Sequence, residues 1–132
     1  MIYLDTAIVI YLVEASGPFG LLARRGVERH PGATLCISPL VSMECLVGPL
    51  RSADMSMESR FRRFFSSSII LGMPDEVYEQ AARLRAVHRS LKTPGALHWA
   101  TALVGGCTEI WTGDADFAKL GAPYVRDIIH EV

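Results

Sequence analysis

Apolar residues fall into two alternating patterns along this chain: short continuous runs, and longer stretches in which they recur every three or four residues. The continuous runs predict buried strands, at 1–4, 34–37, 69–71, 109–112 and 124–125. The periodic stretches predict helices, over 7–15, 19–29, 52–66, 74–90 and 96–104. Strands that alternate with helices in this way predict a parallel, three-layer α/β sheet.

Proline and glycine mark several helix boundaries. Ser38-Pro39 and Thr93-Pro94 each place a capping residue before a proline, which predicts a helix start. Gly48-Pro49 is predicted to end the first of these helices, and Gly105-Gly106 the second. The 74–90 segment carries the inward stripe Val77, Ala81, Leu84, Val87 and Leu91.

Composition is that of one small domain spanning residues 1–132. Half of the residues are hydrophobic and the mean hydropathy is +0.26, so the chain can bury a core. No apolar run approaches the roughly 20 residues of a membrane span, and no basic region precedes the N-terminal apolar stretch. Cys36, Cys45 and Cys107 form no C-x-x-C pair. We therefore expect a cytoplasmic protein with small, buried, reduced cysteines.

Four acids follow or adjoin predicted strand ends. Asp5 ends the first strand, Asp114 and Asp116 follow the 109–112 strand, and Glu44 lies two turns into the helix that begins at Ser38. In an open parallel sheet, ligands bind at the carboxyl ends of the strands near the switch point. Clustered carboxylates repel one another, and a hard divalent cation relieves that repulsion. The cluster predicts a Mg²⁺ or Mn²⁺ site able to activate water against a phosphodiester.

Each acid also has an ordinary structural interpretation. Asp5 is well placed to cap the helix that follows it, and Asp114 and Asp116 are typical turn residues. Glu44 alone is compatible with a solvated helix position. The metal interpretation gains over these alternatives because the predicted fold brings all four acids to one edge of the sheet.

Four segments, in order and covering nearly the whole chain, resemble the signature blocks of PIN domains, and of VapC-type toxins in particular. They are Met-Ile-Tyr-Leu-Asp-Thr at 1–6, Ile-Ser-Pro-Leu-Val-Ser-Met-Glu-Cys-Leu-Val-Gly at 37–48, Leu-Lys-Thr-Pro-Gly-Ala-Leu-His-Trp-Ala-Thr-Ala at 91–102, and Thr-Gly-Asp-Ala-Asp-Phe at 112–117. The resemblance implies a three-layer α/β/α PIN domain with a central, Rossmann-like parallel sheet. It also implies a homodimeric, metal-dependent endoribonuclease that a VapB-type antitoxin inhibits.

The resemblance assigns roles by position. Asp5 is the central metal ligand, Glu44 a second acid, and Asp114 with Asp116 the far side of the site, while Thr6 and Thr112 supply hydroxyls. One position departs from the pattern: Gly95 stands where relatives carry the third acid. Glycine in the first turn of a helix costs roughly 0.5–1 kcal/mol against alanine, and no local need for it is evident.

Other residues suggest partner surfaces, each beside a simpler interpretation. Arg85, Arg89 and Lys92 are candidates to guide an RNA backbone, or are ordinary solvated residues. Met57, Phe61 and Phe65 are candidates for an antitoxin or dimer surface, or are core. His98 is interpreted as a core or helix-facing histidine rather than a general base.

Three functions remain to be compared. The first is an RNA-cleaving toxin, with its activity in question because of Gly95. The second is a catalytically dead PIN module that binds antitoxin or RNA without cleaving it. The third, a phospho-accepting receiver domain, requires an acid pair at the end of the first strand, where only Asp5 stands.

Overall fold

The computed structural model describes residues 1–130, and strands and helices alternate along them as the patterns predict. The strands are β1 (Ile2–Leu4), β2 (Leu35–Ile37), β3 (Ile69–Ile70), β4 (Glu109–Thr112) and β5 (Val125–Asp127). The helices are α1 (Thr6–Glu14), α2 (Gly17–Glu28), α3 (Pro39–Arg51), α4 (Met55–Ser66), α5 (Asp75–Val87), α6 (Thr93–Val104) and α7 (Ala115–Gly121). Within residues 1–130, no single helix has the length and apolar character to cross a membrane; α1 and α2 meet that criterion only as a pair, bent by 106°.

The sheet has the strand order β3-β2-β1-β4-β5, and every neighbouring pair is parallel. The chain runs from β1 outward to β3, then crosses to β4 on the other side of β1. The predicted three-layer α/β architecture with a parallel sheet is confirmed. The topological switch point lies between β1 and β4, where Leu4 is in register with Trp111. Loops that follow these two strands therefore border the crevice where such sheets bind ligands.

The centre of the sheet is buried on both faces. Tyr3, Leu4, Ile110 and Trp111 have no exposed surface, as continuous apolar runs in a parallel sheet require.

The three cysteines are free and buried, as expected. Burial raises the pKa of Cys45 and of Cys107 to about 12, so these thiols stay protonated near neutral pH.

Two predicted helix ends are wrong. α3 continues through Gly48-Pro49 to Arg51, because the φ of proline is helical and one proline near a C-terminus removes only one hydrogen bond. α5 ends at Val87 instead of residue 90, since His88 is extended. Val87 is consequently 74% exposed rather than inward, and Lys92 is not on that helix.

The aromatic stripe of α4 belongs to the core. Phe61 is 1% exposed and Phe65 is 7% exposed, whereas Met57 is partly buried. α4 packs on α3 and α1, and this packing uses the apolar face that the stripe provides. The prediction that Phe61 and Phe65 receive an antitoxin or a second subunit is therefore wrong.

The patterns predict no helix between β4 and β5, yet α7 lies there. Its N-cap is Asp114, whose Oδ1 accepts hydrogen bonds from the backbone N–H groups of Asp116 and Phe117 at 2.9 and 3.1 Å. With seven residues, α7 is too short to show a clear helical period. It places Asp114 and Asp116 beside the end of β4.

Candidate active site

A cleft of about 770 Å³ opens at the carboxyl ends of β1 and β4. All four acids singled out in the sequence line it: Asp5, Glu44, Asp114 and Asp116. Thr6 and Gly95 line it as well, and Thr112 lies buried beneath Asp5 as its hydrogen-bond donor. The fold thus gathers onto one surface residues from β1, α3, α6 and β4 that are far apart in sequence.

Asp5 is oriented through both of its carboxylate oxygens. Oδ1 accepts a hydrogen bond from the backbone N–H of Thr6 at 2.7 Å, so Asp5 does cap α1. Oδ2 accepts from the hydroxyl of Thr112 at 2.8 Å, across the switch point. The side chain is 18% exposed. Capping and a place in the cleft therefore coexist in this residue.

Glu44 reaches the same place from α3, with 28% of its side chain exposed. Its Oε1 accepts from the hydroxyl of Thr6 at 2.7 Å and lies 2.8 Å from Nε2 of His98. The hydrogen bond with His98, together with that from Thr6, lowers the pKa of Glu44 although burial acts in the opposite direction. Glu44 is thus a carboxylate at neutral pH.

His98 is the residue of the cleft whose contacts the sequence did not predict. It is 3% exposed, as a core residue should be, but its ring is hydrogen-bonded at both nitrogens. Nδ1 lies 2.7 Å from the hydroxyl of Tyr3, and Nε2 contacts Glu44 and lies 3.6 Å from Oδ1 of Asp5. One feature of the sequence did indicate that His98 lies near the cleft. It follows Gly95 by three residues, and residues at this spacing share one face of a helix.

Asp114 and Asp116 line the cleft from its open side, and both are exposed. The backbone N–H of Asp114 donates to the Thr112 hydroxyl oxygen at 3.1 Å. Thr112 therefore connects the two sides of the cleft, because the same hydroxyl donates to Asp5. The Asp114 side chain also serves as the cap of α7, the ordinary role weighed for it.

Gly95 lies in the first turn of α6 and lines the cleft. A Cβ atom added there would meet only Leu91 Cδ1, at 3.3 Å, the end of a flexible side chain. Its backbone φ lies outside the left-handed region. Neither conformation nor space therefore requires glycine, and the position accepts a larger residue if Leu91 shifts by a few tenths of an ångström.

Both lysines of the chain, Lys92 and Lys119, line this cleft. Among residues 1–130 neither forms an ion pair. Arg85 and Arg89 do not line the cleft, and Arg85 Nε donates to the backbone oxygen of Leu91 at 3.1 Å. Lys92 is thus the member of the predicted basic group that lines the same cleft as the acids, and Lys119 was not predicted.

The donor set is suited to a hard, hydrated cation. Among residues 1–130, no three His, Cys, Asp or Glu side chains are close enough to form a ready-made metal site. Asp5 and Glu44 nevertheless both approach one atom, His98 Nε2, and Glu44 uses only Oε1 in its hydrogen bonds to described residues. Mg²⁺ commonly keeps several waters and is held by one or two carboxylates. The residues present fit that kind of binding.

The fold and this cleft define a parallel α/β protein with an acidic site at its topological switch point. Residues 2–123 match the family model of the PIN domain, and the chain belongs to that family. No curated protein matches the sequence.

Several solved structures share the fold over nearly their whole length. A toxin-antitoxin complex from Klebsiella pneumoniae matches at TM-score 0.78 and 29% identity, covering 97% of this chain and 98% of the other. VapBC2 from Rickettsia felis, bound to a DNA fragment from its promoter, matches at 0.76 and 19%, covering 96% and 98%. VapC20 from Mycobacterium tuberculosis, a sarcin-ricin loop cleaving toxin, matches at 0.74 and 19%, covering 92% and 95%. The resemblance to VapC-type PIN toxins inferred from the sequence is confirmed.

Proposed function

We propose that this chain is a metal-dependent endoribonuclease, the toxin of a VapBC-type pair that acts in the cytoplasm. The observation that supports this most is the pairing of two oriented carboxylates, Asp5 and Glu44, at the switch point of a PIN fold. Asp114 and Asp116 open onto the same cleft. The similarity to VapC20, which cleaves the sarcin-ricin loop, agrees with RNA as the substrate class.

In this proposal Asp5 and Glu44 would hold the ion, and Asp114 and Asp116, which line the same cleft, would be its further ligands. When bound, Mg²⁺ or Mn²⁺ supplies positive charge to a phosphodiester and lowers the pKa of a water. Thr6 and Thr112 orient the carboxylates through the hydrogen bonds described above.

Lys92 and Lys119 are proposed to bind the RNA backbone beside the acids. Both residues line the cleft, and among residues 1–130 neither forms an ion pair with a carboxylate. Phosphate contacts of this kind position a nucleic acid without reading its bases. Arg85 and Arg89 would then contribute only to the positive electrostatic potential around the cleft.

Gly95 supports a second candidate, a catalytically dead PIN module that binds RNA or antitoxin. The third acid is absent, and the described residues provide no compact group of three ligands. A protein of this kind would keep the fold and the lysines while lacking tight metal binding.

RNA cleavage distinguishes the two candidates. We expect the purified protein to cleave RNA when Mg²⁺ or Mn²⁺ is added and to stop when EDTA removes the ion. Asp5→Asn should abolish the reaction, whereas Asp75→Asn, which changes an exposed acid outside the cleft, should not. RNA binding by fluorescence anisotropy, with no metal-stimulated cleavage in any variant, would favour the dead module instead.

An antitoxin and a second copy are the proposed protein partners. The Klebsiella and Rickettsia neighbours come from a toxin-antitoxin complex and from VapBC2. Because Phe61 and Phe65 are buried in the core, they are poor candidates for the antitoxin surface. We place it on the exposed face of α3 formed by Met43, Val47 and Leu50, which are 56%, 36% and 57% exposed and share one side of the helix.

Two matched substitutions test that surface. Leu50→Ser should weaken co-purification with the antitoxin while the melting temperature changes little, because Leu50 is exposed. Phe61→Ser should lower the free energy of unfolding by at least the roughly 3–5 kcal/mol of a buried Phe→Ala change. If Leu50→Ser retains full antitoxin binding in the folded protein, α3 is not the surface.

A further inference from the structure

His98 is a buried titratable residue that has no role in the proposed chemistry. Its two ring nitrogens lie in one chain of hydrogen bonds from Ser38 through Tyr3 and His98 to Glu44. The distances are 2.8 Å for Ser38 Oγ to Tyr3 OH, 2.7 Å for Tyr3 OH to His98 Nδ1, and 2.8 Å for His98 Nε2 to Glu44 Oε1. Ser38, Tyr3 and His98 are all buried, so water does not replace these contacts.

The donor in each of these bonds follows from the ionised carboxylate at the end of the chain. A carboxylate only accepts, so Nε2 of His98 carries the hydrogen that Glu44 receives. In the neutral ring Nδ1 is then an acceptor, and the Tyr3 hydroxyl donates to it. The oxygen of Tyr3 in turn accepts from the Ser38 hydroxyl. Of the two neutral tautomers, only the one with its hydrogen on Nε2 satisfies every group in this chain of contacts.

We infer that His98 is a positioning residue: as the Nε2–H tautomer, with Nδ1 fixed by the Tyr3 hydroxyl, it aims the Glu44 carboxylate into the cleft. Thr6 donates to the same Glu44 oxygen, so both orienting hydrogen bonds are made to Oε1, and Oε2 is left to bind the metal ion. A nitrogen that donates its hydrogen to Glu44 has no lone pair for a metal, and His98 is therefore not itself a ligand in this arrangement. This inference rests on the proposed metal-dependent function.

Mn²⁺ titration calorimetry separates positioning from ligation. His98→Gln keeps one N–H donor for Glu44 and one oxygen to accept from Tyr3, whereas His98→Leu keeps neither. Removing an outer hydrogen-bond partner of a ligand typically weakens metal binding 10–100-fold. We expect a loss of about that size for His98→Leu and recovery to near the parent Kd for His98→Gln. His30→Gln, at the opposite, amino-terminal edge of β1 and β4, is the control and should bind as the parent does.

An equal loss in His98→Gln and His98→Leu, with His30→Gln unchanged, would overturn the inference and identify His98 as a ligand. The tautomer supplies a second measurement that needs no metal and does not depend on His98→Leu folding. We expect ¹⁵N NMR of the metal-free parent to show His98 as the Nε2–H form. Tyr3→Phe, which removes the donor to Nδ1, should keep the Nε2–H form, because Glu44 still accepts from Nε2, and should raise the Kd for Mn²⁺ because the ring is held less firmly.

An Nδ1–H form of His98 in the parent, or an unchanged Kd for Mn²⁺ in folded Tyr3→Phe, would overturn the inference. A parent that binds no Mn²⁺ at all would instead contradict the proposed function, and the tautomer would then decide the question of His98 alone.

Discussion

The two sides of the acidic cleft are built very differently. The inner side, formed by Asp5 and Glu44, comes from the end of β1 and from α3, and its side chains are 18% and 28% exposed. The outer side, formed by Asp114, Asp116 and Gly95, comes from the short helix α7 and the first turn of α6. Its two acids are exposed, and its third position has no side chain to offer. The inner side is thus organised in advance of any ligand, and the outer side is open.

Hydrogen bonds account for the order of the inner side. Bringing two carboxylates together in a partly buried place raises the free energy through repulsion and lost hydration. Thr6, Thr112 and His98 offset that cost with donors at 2.7–2.8 Å. The outer side has fewer hydrogen bonds of this kind. Its one carboxylate oxygen with hydrogen bonds to described residues is Asp114 Oδ1, which caps α7. We expect the outer side to limit metal affinity in this chain.

The largest change should follow from completing the outer side with Gly95→Asp. The added carboxylate would lie at the edge of the cleft, and its Cβ would press only on Leu91. Without metal, another like charge should destabilise the fold, offset by about 0.3–1 kcal/mol at the helix N-terminus. With Mn²⁺ at 100 times its Kd, binding should stabilise the variant by about 2.7 kcal/mol. Thermal melts with and without Mn²⁺ measure both effects.

RNA cleavage should increase in Gly95→Asp as well. Gly48→Asp is the matched control, since it adds the same charge at an open helical position outside the cleft. If Gly95→Asp and the parent show equal cleavage and equal stabilisation by metal, position 95 is not part of the site.

A smaller effect is expected from Asp114, and two substitutions separate its roles. Asp114→Asn keeps the ability to cap α7, because Asn and Asp are similar as N-caps, but removes the charge. It should weaken Mn²⁺ binding with little loss of stability. Asp114→Ala should weaken binding similarly and also lower the free energy of unfolding by about 0.5–2 kcal/mol. Unchanged Mn²⁺ affinity in Asp114→Asn would remove Asp114 from the metal site.

The smallest predicted effect concerns Lys119, which lies on α7 with the outer acids. Lys119→Ala should weaken RNA binding in EDTA and reduce the slope of log affinity against log salt by roughly one, as for one lost phosphate contact. Arg83→Ala, which removes a cation paired with Glu79 on exposed α5, should leave the slope unchanged. Equal slopes for both variants and the parent would place the RNA elsewhere.

Local patterns predicted the architecture because each strand and most helices carry their own signal. The apolar run before Asp5 and the proline starts of α3 and α6 need no knowledge of the rest of the chain. The errors come from tertiary context. Pro49 is accommodated inside α3 because it is buried and costs one bond near the helix end. The α4 stripe was compatible with core or partner, and packing on α1 and α3 decided it.

In the cleft, the acids were predictable and their supporting hydrogen bonds were not. Asp5, Glu44 and the 114–116 pair stand out because they adjoin apolar strands and helix positions. Burying an acid there raises the free energy of the fold unless another group compensates its charge. Tyr3 and His98 are 95 residues apart and meet only through β1 and α6. Tyr3 lies inside a continuous apolar run, where its hydroxyl gives no signal of its own. α7 was not predicted, because the acids at its N-terminus are equally typical of a turn.

Calorimetric titration of Mn²⁺ into the parent and Asp5→Asn tests the central claim most directly. Asn keeps the oxygen that caps α1 and loses the charge, so the fold should be retained. We predict measurable Mn²⁺ binding by the parent and none by Asp5→Asn. Equal Mn²⁺ affinity in the two folded proteins would contradict the assignment of Asp5 as a ligand and, with it, the cleft at the switch point as the metal site.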